Sequence, residues 1–507
     1  MSRTNNVIRN IKFALISQVI NLLLSFISRT IFIYFLGTDY LGVNGLFSNI
    51  LTMLSFAELG FGNAIVYNLY KPLAKKDTEK IKSLVNLYKN IYVKIGVIVL
   101  CLGIVIIPFL DVFIKGKPDI KESIYFIYLL FLCNSSISYF FVYKITIITA
   151  DQKNYIVISH QQAIQLLQCV LQIIFLYLTH NYIIYLLIQI GCSVSMNVWL
   201  SKKAERLYPY LKDKEVQSLK KEEKKELFTN VKALAVYKFA STILNGTDNI
   251  LVSALVGIKE VGLYSNYVLV INAFINILNK VTDSFTASIG NLNAIESVER
   301  KRQIFNEVFM ICSWLFGFVS LGLLLLFNDF ITIWIGCKYI MSSLVVFSIV
   351  LHFYINGVHY IAYTYRTTLG LFVQGWIAPL LAAILNLVLS FLLYQYIGLA
   401  GIFFATSIAR FFTTGIVDPY LIYKKVFQDH PLKYYIMYFK FIIIYIGIFF
   451  LLSSVLKYIS IFGILGFVVK IIVVSIVFNG LMVIIFWHDK TFQGLFQIVR
   501  DKIGKKI

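Results

Sequence analysis

The feature that most constrains this chain is a succession of long apolar runs separated by short turns. Between Asn10 and Lys76 two such runs are joined by the tight turn Gly37-Thr38-Asp39-Tyr40, and the second ends in Lys71, Pro72, Lys75 and Lys76. At about 1.5 Å of rise per residue, each run is long enough to cross a bilayer as a helix. Read along the whole chain, the pattern gives about fourteen spans. They fall at 11–36, 42–70, 88–114, 122–149, 156–179, 182–200, 231–256, 262–289, 308–335, 340–366, 376–397, 400–423, 434–456 and 461–487. The residues are 59% hydrophobic and only 14% charged, against about 25% charged in ordinary soluble domains. The chain is therefore an all-α polytopic membrane protein.

The net charge of +21 would suggest a nucleic-acid partner in a soluble protein. Here the basic residues sit between spans, so they report topology and no nucleic acid is expected. With the N-terminus in the cytoplasm, the cytoplasmic segments hold about thirty Lys and Arg and the external turns about six. Both termini are thus expected inside. Arg3, Arg9 and Lys12 precede the first run, which is too long for a cleaved signal and is read as an uncleaved anchor. The six cysteines have no metal spacing, and five lie within apolar runs as small hydrophobes.

Moved forward by 220 residues, the opening stretch meets a faint copy of itself: Asn10 falls on Asn230, Lys12 on Lys232, Gly37 on Gly257 and Gly42 on Gly262. The first helix carries Gln18, Asn21, Ser25 and Ser28 on one stripe, and their counterparts Lys238, Ser241, Asn245 and Asp248 are also polar. The expected organisation is a six-helix lobe over 1–200, a charged cytoplasmic linker over 201–230 and a second six-helix lobe over 231–425. Helices 13 and 14 follow over 426–490, then a basic amphipathic tail over 491–507 that suits an anionic inner leaflet. An even number of spans per copy makes this a parallel repeat.

Ionisable residues at membrane depth are costly and mark function or a buried pair. Lys94, Lys144, Lys440 and Lys470 lie within snorkelling reach of an interface. Arg29, Glu58, Asp248 and Arg410 lie deeper, where they line a cavity or bridge the lobes, as Arg29 with Asp248 would. The eighth span carries Asn272, Asn276, Asn279 and Asp283, a stripe suited either to helix packing or to sugar hydroxyls. His352, His359 and Arg366 recur at sevens on one helix face, which fits either proton titration or a polar helix contact. Glu58, Asp248, Asp283, His352 and His359 are the candidates for ion coupling or interlobe pairing. No P-loop, nucleophile elbow or zinc-protease motif occurs, so neither an enzyme nor a cofactor is expected.

From Arg29 to Asp77 the pattern LGxxYLGxxGLFxNILxMLSxAELGxGxAI resembles the Wzx-type polysaccharide flippases, relatives of the MATE drug exporters and lipid II flippases. The resemblance implies a MATE-like, V-shaped central cavity between the lobes and alternating access. It also implies flipping of undecaprenyl-diphosphate-linked oligosaccharides to the outer leaflet of the bacterial plasma membrane, for capsule or related polymers. Membrane lipid, and the polymerase and glycosyltransferases of the same route, would be the partners. Arg29 would meet the diphosphate or acidic sugars, with Arg410 its counterpart in the second lobe, and Gln18, Asn21, Lys238, Asn245, Asn272 and Asn276 would line the cavity. The competing readings are a MATE-like cation or drug antiporter and a non-transport scaffold of a polysaccharide synthesis complex.

Overall fold

The computed structural model describes residues 3–495 except 59–60, 117, 214–215, 217–218, 220, 222–245, 296, 370, 372–374, 376, 460 and 462. The described residues are overwhelmingly helical. By their internal contacts they form two units, Met1–Ser265 and Asn266–Ile507.

The first unit begins with α1 (Arg3–Leu36), α2 (Thr38–Leu54), α3 (Phe61–Lys75) and α4 (Thr78–Ile106). It continues through α5 (Ile124–Tyr139), α6 (Val142–Ala150), α7 (Asn154–Thr179), α8 (Tyr182–Leu207) and α9 (246–255). Helix starts are set by local capping: Asp77 accepts from the Lys80 amide at the head of α4, and Asn181 accepts from the Ile183 and Ile184 amides at the head of α8. A buried cluster of Tyr88, Tyr92, Tyr139, Tyr143, Ile147 and Leu200 fills the space among α4, α5, α6 and α8.

α10 (Ile258–Ile295) runs from the first unit into the second. Then come α11 (Val298–Trp334), α12 (Ser343–Thr368), α13 (Ile377–Ile397), α14 (Leu399–Phe412) and α15 (Thr414–Ile422), followed by α16 (Leu432–Leu456) and α17 (Gly463–Phe486). The last two are the expected appended pair, and both pack on α11. Tyr445 of α16 donates to the Ser313 carbonyl at 2.6 Å, and Trp314 Nε1 donates to Asn479 of α17 at 2.9 Å. Three of the four lysines read as snorkelling have acidic partners: Lys144 with Glu205, Lys440 with Asp489 and Lys470 with Asp329.

The number of spans differs from the fourteen expected. Among the described residues, 11 helices are long and apolar enough to cross a membrane, or 12 if α5 and α6, bent by 50°, are one span. Of the two others, 231–256 lies largely outside the described residues. The run 42–70 is broken: α2 ends at Leu54, a short 3-10 turn covers Ser55–Glu58, and α3 restarts at Phe61. Ser55 turns its hydroxyl back onto the Thr52 carbonyl, and Gly60 and Gly62 follow, residues that weaken a helix. Apolar length predicted one helix here, and these polar and glycine residues divide it. Of the tail, Phe492 stacks on Trp314, and residues 496–507 lie outside the described residues.

The repeat has a structural echo. Gly37 and Gly257 both follow a helix at positive φ (86° and 151°), and Gly116 and Gly336 also take positive φ (79° and 106°) in later turns, again 336 − 116 = 220 apart. Within the first unit the two copies of the hairpin touch. A Cβ on Gly42 would lie 1.9 Å from the Ile258 carbonyl oxygen, and a Cβ on Gly262 would lie 2.2 Å from that of Thr38. Since 258 − 38 and 262 − 42 both equal 220, the contact is reciprocal, as where two copies meet about a local two-fold. Only glycine permits this backbone approach.

Candidate functional site

α1 carries the polar stripe, and α7 and α10 decide what it meets. Ser17 donates to Gln162 of α7 at 2.6 Å, Asn21 donates to Ser17 at 3.3 Å, and Ser28 lies 3.1 Å from Cys169 of α7. Part of the stripe therefore holds α1 to α7. Gln18 is half-buried and Ser25 is exposed, with its hydroxyl returned to the Asn21 carbonyl.

Arg29, the residue after Ser28, is half-buried. Its Nη1 donates to the Ser265 hydroxyl of α10 at 2.7 Å, and the Tyr185 phenol of α8 lies close by. Among the described residues no carboxylate lies within ion-pair distance of Arg29, so the bridge to Asp248 is not formed. Asp248 is buried on α9, beside Tyr264. The copy of this contact is neutral: Asn249 stands at Arg29's place (249 − 29 = 220) and lies 4.0 Å from where a Gly45 Cβ would be, Gly45 being the copy of Ser265. Ser265 was not foreseen, because nothing local marks a serine 236 residues away as a partner.

Glu58 lies at the break between α2 and α3, where Tyr92 donates to its Oε1 at 3.3 Å and Tyr139 and Ser55 are neighbours. Asn272 and Asn276 are exposed on α10 and Asn279 is half-buried. Asp283 lies on the same helix, but its side chain is outside the described residues, as are Lys238 and Asn245 altogether.

In the second unit Arg410 of α14 is buried beside His352 of α12. Two turns further along α12, His359 and Arg366 converge on Asp418 of α15, at 3.0 Å and 2.9 Å. The spacing of seven foresaw the shared face of His359 and Arg366. It did not foresee Asp418, whose signal in the sequence was an acid inside an expected span. Among the described residues no group of three or more His, Cys, Asp or Glu could hold a metal ion.

The chain is similar in fold to solved transporters. With a lipid II flippase, MurJ, in an inward closed conformation it shares 16% identity at a TM-score of 0.64, over 95% of this chain and 99% of that one. With an inward-facing multidrug resistance MATE family transporter of the MOP superfamily it shares 13% identity at a TM-score of 0.58, over 78% of this chain and 93% of that one. A search of curated protein sequences found no match. The model of the family described as polysaccharide biosynthesis protein matches residues 7–284, more than half of the chain. With its many membrane-crossing helices in a MurJ- and MATE-like fold, this chain belongs to the polysaccharide biosynthesis protein family.

Proposed function

We propose that the protein flips undecaprenyl-diphosphate-linked oligosaccharide units from the cytoplasmic to the outer leaflet of a bacterial plasma membrane, by alternating access, for capsular or other surface polysaccharide. Both termini then lie in the cytoplasm. The observation that carries this reading is Arg29: a guanidinium on a membrane span, with hydroxyl rather than carboxylate partners among the described residues. Such a cation keeps its charge available to an anion, and its planar fork matches phosphate oxygens in a bidentate way. An organic-cation exporter needs an acidic, aromatic-walled site, and Arg29 disfavours that. Arg410 would be the second anion contact, and the exposed Asn272 and Asn276 would offer donors and acceptors to sugars.

The test uses cells that make the lipid-linked repeat unit and have no second flippase. Exposure of the sugar head to an external, membrane-impermeant lectin should vanish without the protein, return with wild type and fail with Arg29→Ala. Unchanged exposure in the deletion strain removes the reading. Hypersensitivity of that strain to cationic dyes would then support an antiporter.

A further inference from the structure

A long, flexible side chain makes a poor anion site unless something holds it, and Arg29 is held at both ends. At its base, the preceding Ser28 lies 3.1 Å from Cys169 of α7. At its head, Nη1 donates to the Ser265 hydroxyl of α10 at 2.7 Å. That hydroxyl is itself committed, since it donates to the Gly262 carbonyl three residues back on α10 at 2.8 Å. With its one proton given to Gly262, Ser265 Oγ acts only as an acceptor towards α1. Gly262 in turn belongs to the close hairpin contact, where a Cβ would run into the Thr38 carbonyl. The oxygen that meets Arg29 is therefore oriented by the backbone of a tightly packed turn. Tyr185 of α8 lies beside the guanidinium, and its ring meets Phe32 of α1 edge-on at 5.2 Å.

The bond at Nη1 also decides which part of the guanidinium a ligand meets. The planar group presents paired N–H donors along two edges, one through Nη1 and Nη2 and one through Nε and Nη2. Ser265 draws on the first. The second does not involve it, and its two parallel donors match two oxygens of one phosphoryl group. A hydroxyl holds the cation without neutralising it, as a carboxylate would. Both members of the contact differ from their copies in the repeat: Asn249 stands at the place of Arg29 and Gly45 at that of Ser265. The copy thus lacks the charge and the acceptor together. We propose that Ser265 is the positioning residue of the anion site, holding Nη1 so that the Nε–Nη2 edge of Arg29 receives a phosphoryl group side-on. This role rests on the flipping reading, in which Arg29 meets the diphosphate. A freely rotating guanidinium must be ordered as the ligand binds, and Ser265 orders it beforehand.

The experiment titrates the full-length protein in lipid nanodiscs with farnesyl diphosphate, a short prenyl diphosphate, against empty nanodiscs, with thermal unfolding recorded for each variant. Ser265→Ala should weaken binding about 2- to 10-fold. Ser265→Cys, nearly isosteric but with a weak acceptor, should do the same, so the outcome does not hang on the folding of one variant. Ser265→Thr keeps the hydroxyl and should bind like wild type. Added to Arg29→Ala, Ser265→Ala should cost nothing further, because no guanidinium is left to position, whereas a merely structural serine would cost as much in either background. Tighter binding in Ser265→Ala, as for a serine that competes with the phosphate, overturns the proposal. So does unchanged binding in Ser265→Ala and Ser265→Cys, or an additive loss in the double variant. If Arg29→Ala alone weakens binding in those cases, the diphosphate reading stands without Ser265; if Arg29→Ala binds like wild type, both fall.

Discussion

Arg29 brings a permanent charge onto a membrane span and spends it on a serine hydroxyl. A hydrogen bond from a charged group contributes about 1.5–3 kcal/mol. If the ligand is a diphosphate, Arg29→Ala should weaken its binding about 10- to 100-fold, and Arg29→Lys, which keeps the charge and loses the fork, should fall between. Titration of purified protein with a lipid diphosphate analogue checks this, with insertion confirmed first. A second residue-scale expectation concerns Asp429, in the turn before α16. Lys433 at 2.7 Å, the His430 amide at 2.7 Å and Arg302 at 2.6 Å hold its carboxyl below the ordinary 3.8, at about 2. A depressed pKa means that this tether is complete above 3.8 and is lost as pH falls through about 2. Amide exchange in the 428–433 turn should therefore speed up between these values, and Asp429→Asn should remove that step. The charge of Arg29 was legible in the sequence because a cation within an apolar run stands out. Its partner was not, since a contact between α1 and α10 leaves no local trace.

At the scale of elements, apolar length identified most of the described spans and missed their interruptions, the polar break within 42–70 among them. Ser55, Glu58, Gly60 and Gly62 were visible within 42–70, but run length alone does not weigh them against the cost of breaking a helix. The α14–α15 interruption was equally hidden, and with it the burial of Asp418, which a continuous helix would have placed near an interface. The hairpin contact gives a sharper test. A Cβ on Gly42 or Gly262 lands on a carbonyl of the other hairpin, so Gly42→Ala and Gly262→Ala should each cost about 1–3 kcal/mol by overpacking. Because both substitutions push the same hairpins apart, the double variant should lose less than the sum. Thermal unfolding of the four proteins in one detergent reads this out. At the appended pair, Tyr445→Phe removes the bond to the Ser313 carbonyl and should cost about 1 kcal/mol.

For the whole molecule, the repeat has a consequence that lies in its imperfection. In a pair of identical subunits every substitution at a two-fold contact appears twice, and a cation placed near the axis would face its own copy. Here both hairpins belong to one chain, so each position is free to change alone. Arg29 meets Ser265, while the equivalent place holds Asn249 opposite Gly45, an amide facing a residue with no side chain. One side of the same contact thus gained a charge, and the other kept the close packing that a charge would have disturbed. Joining the copies into one polypeptide made a lopsided contact compatible with a symmetric joint, and under the proposed function a head group with one charged end would have a preferred way round in it.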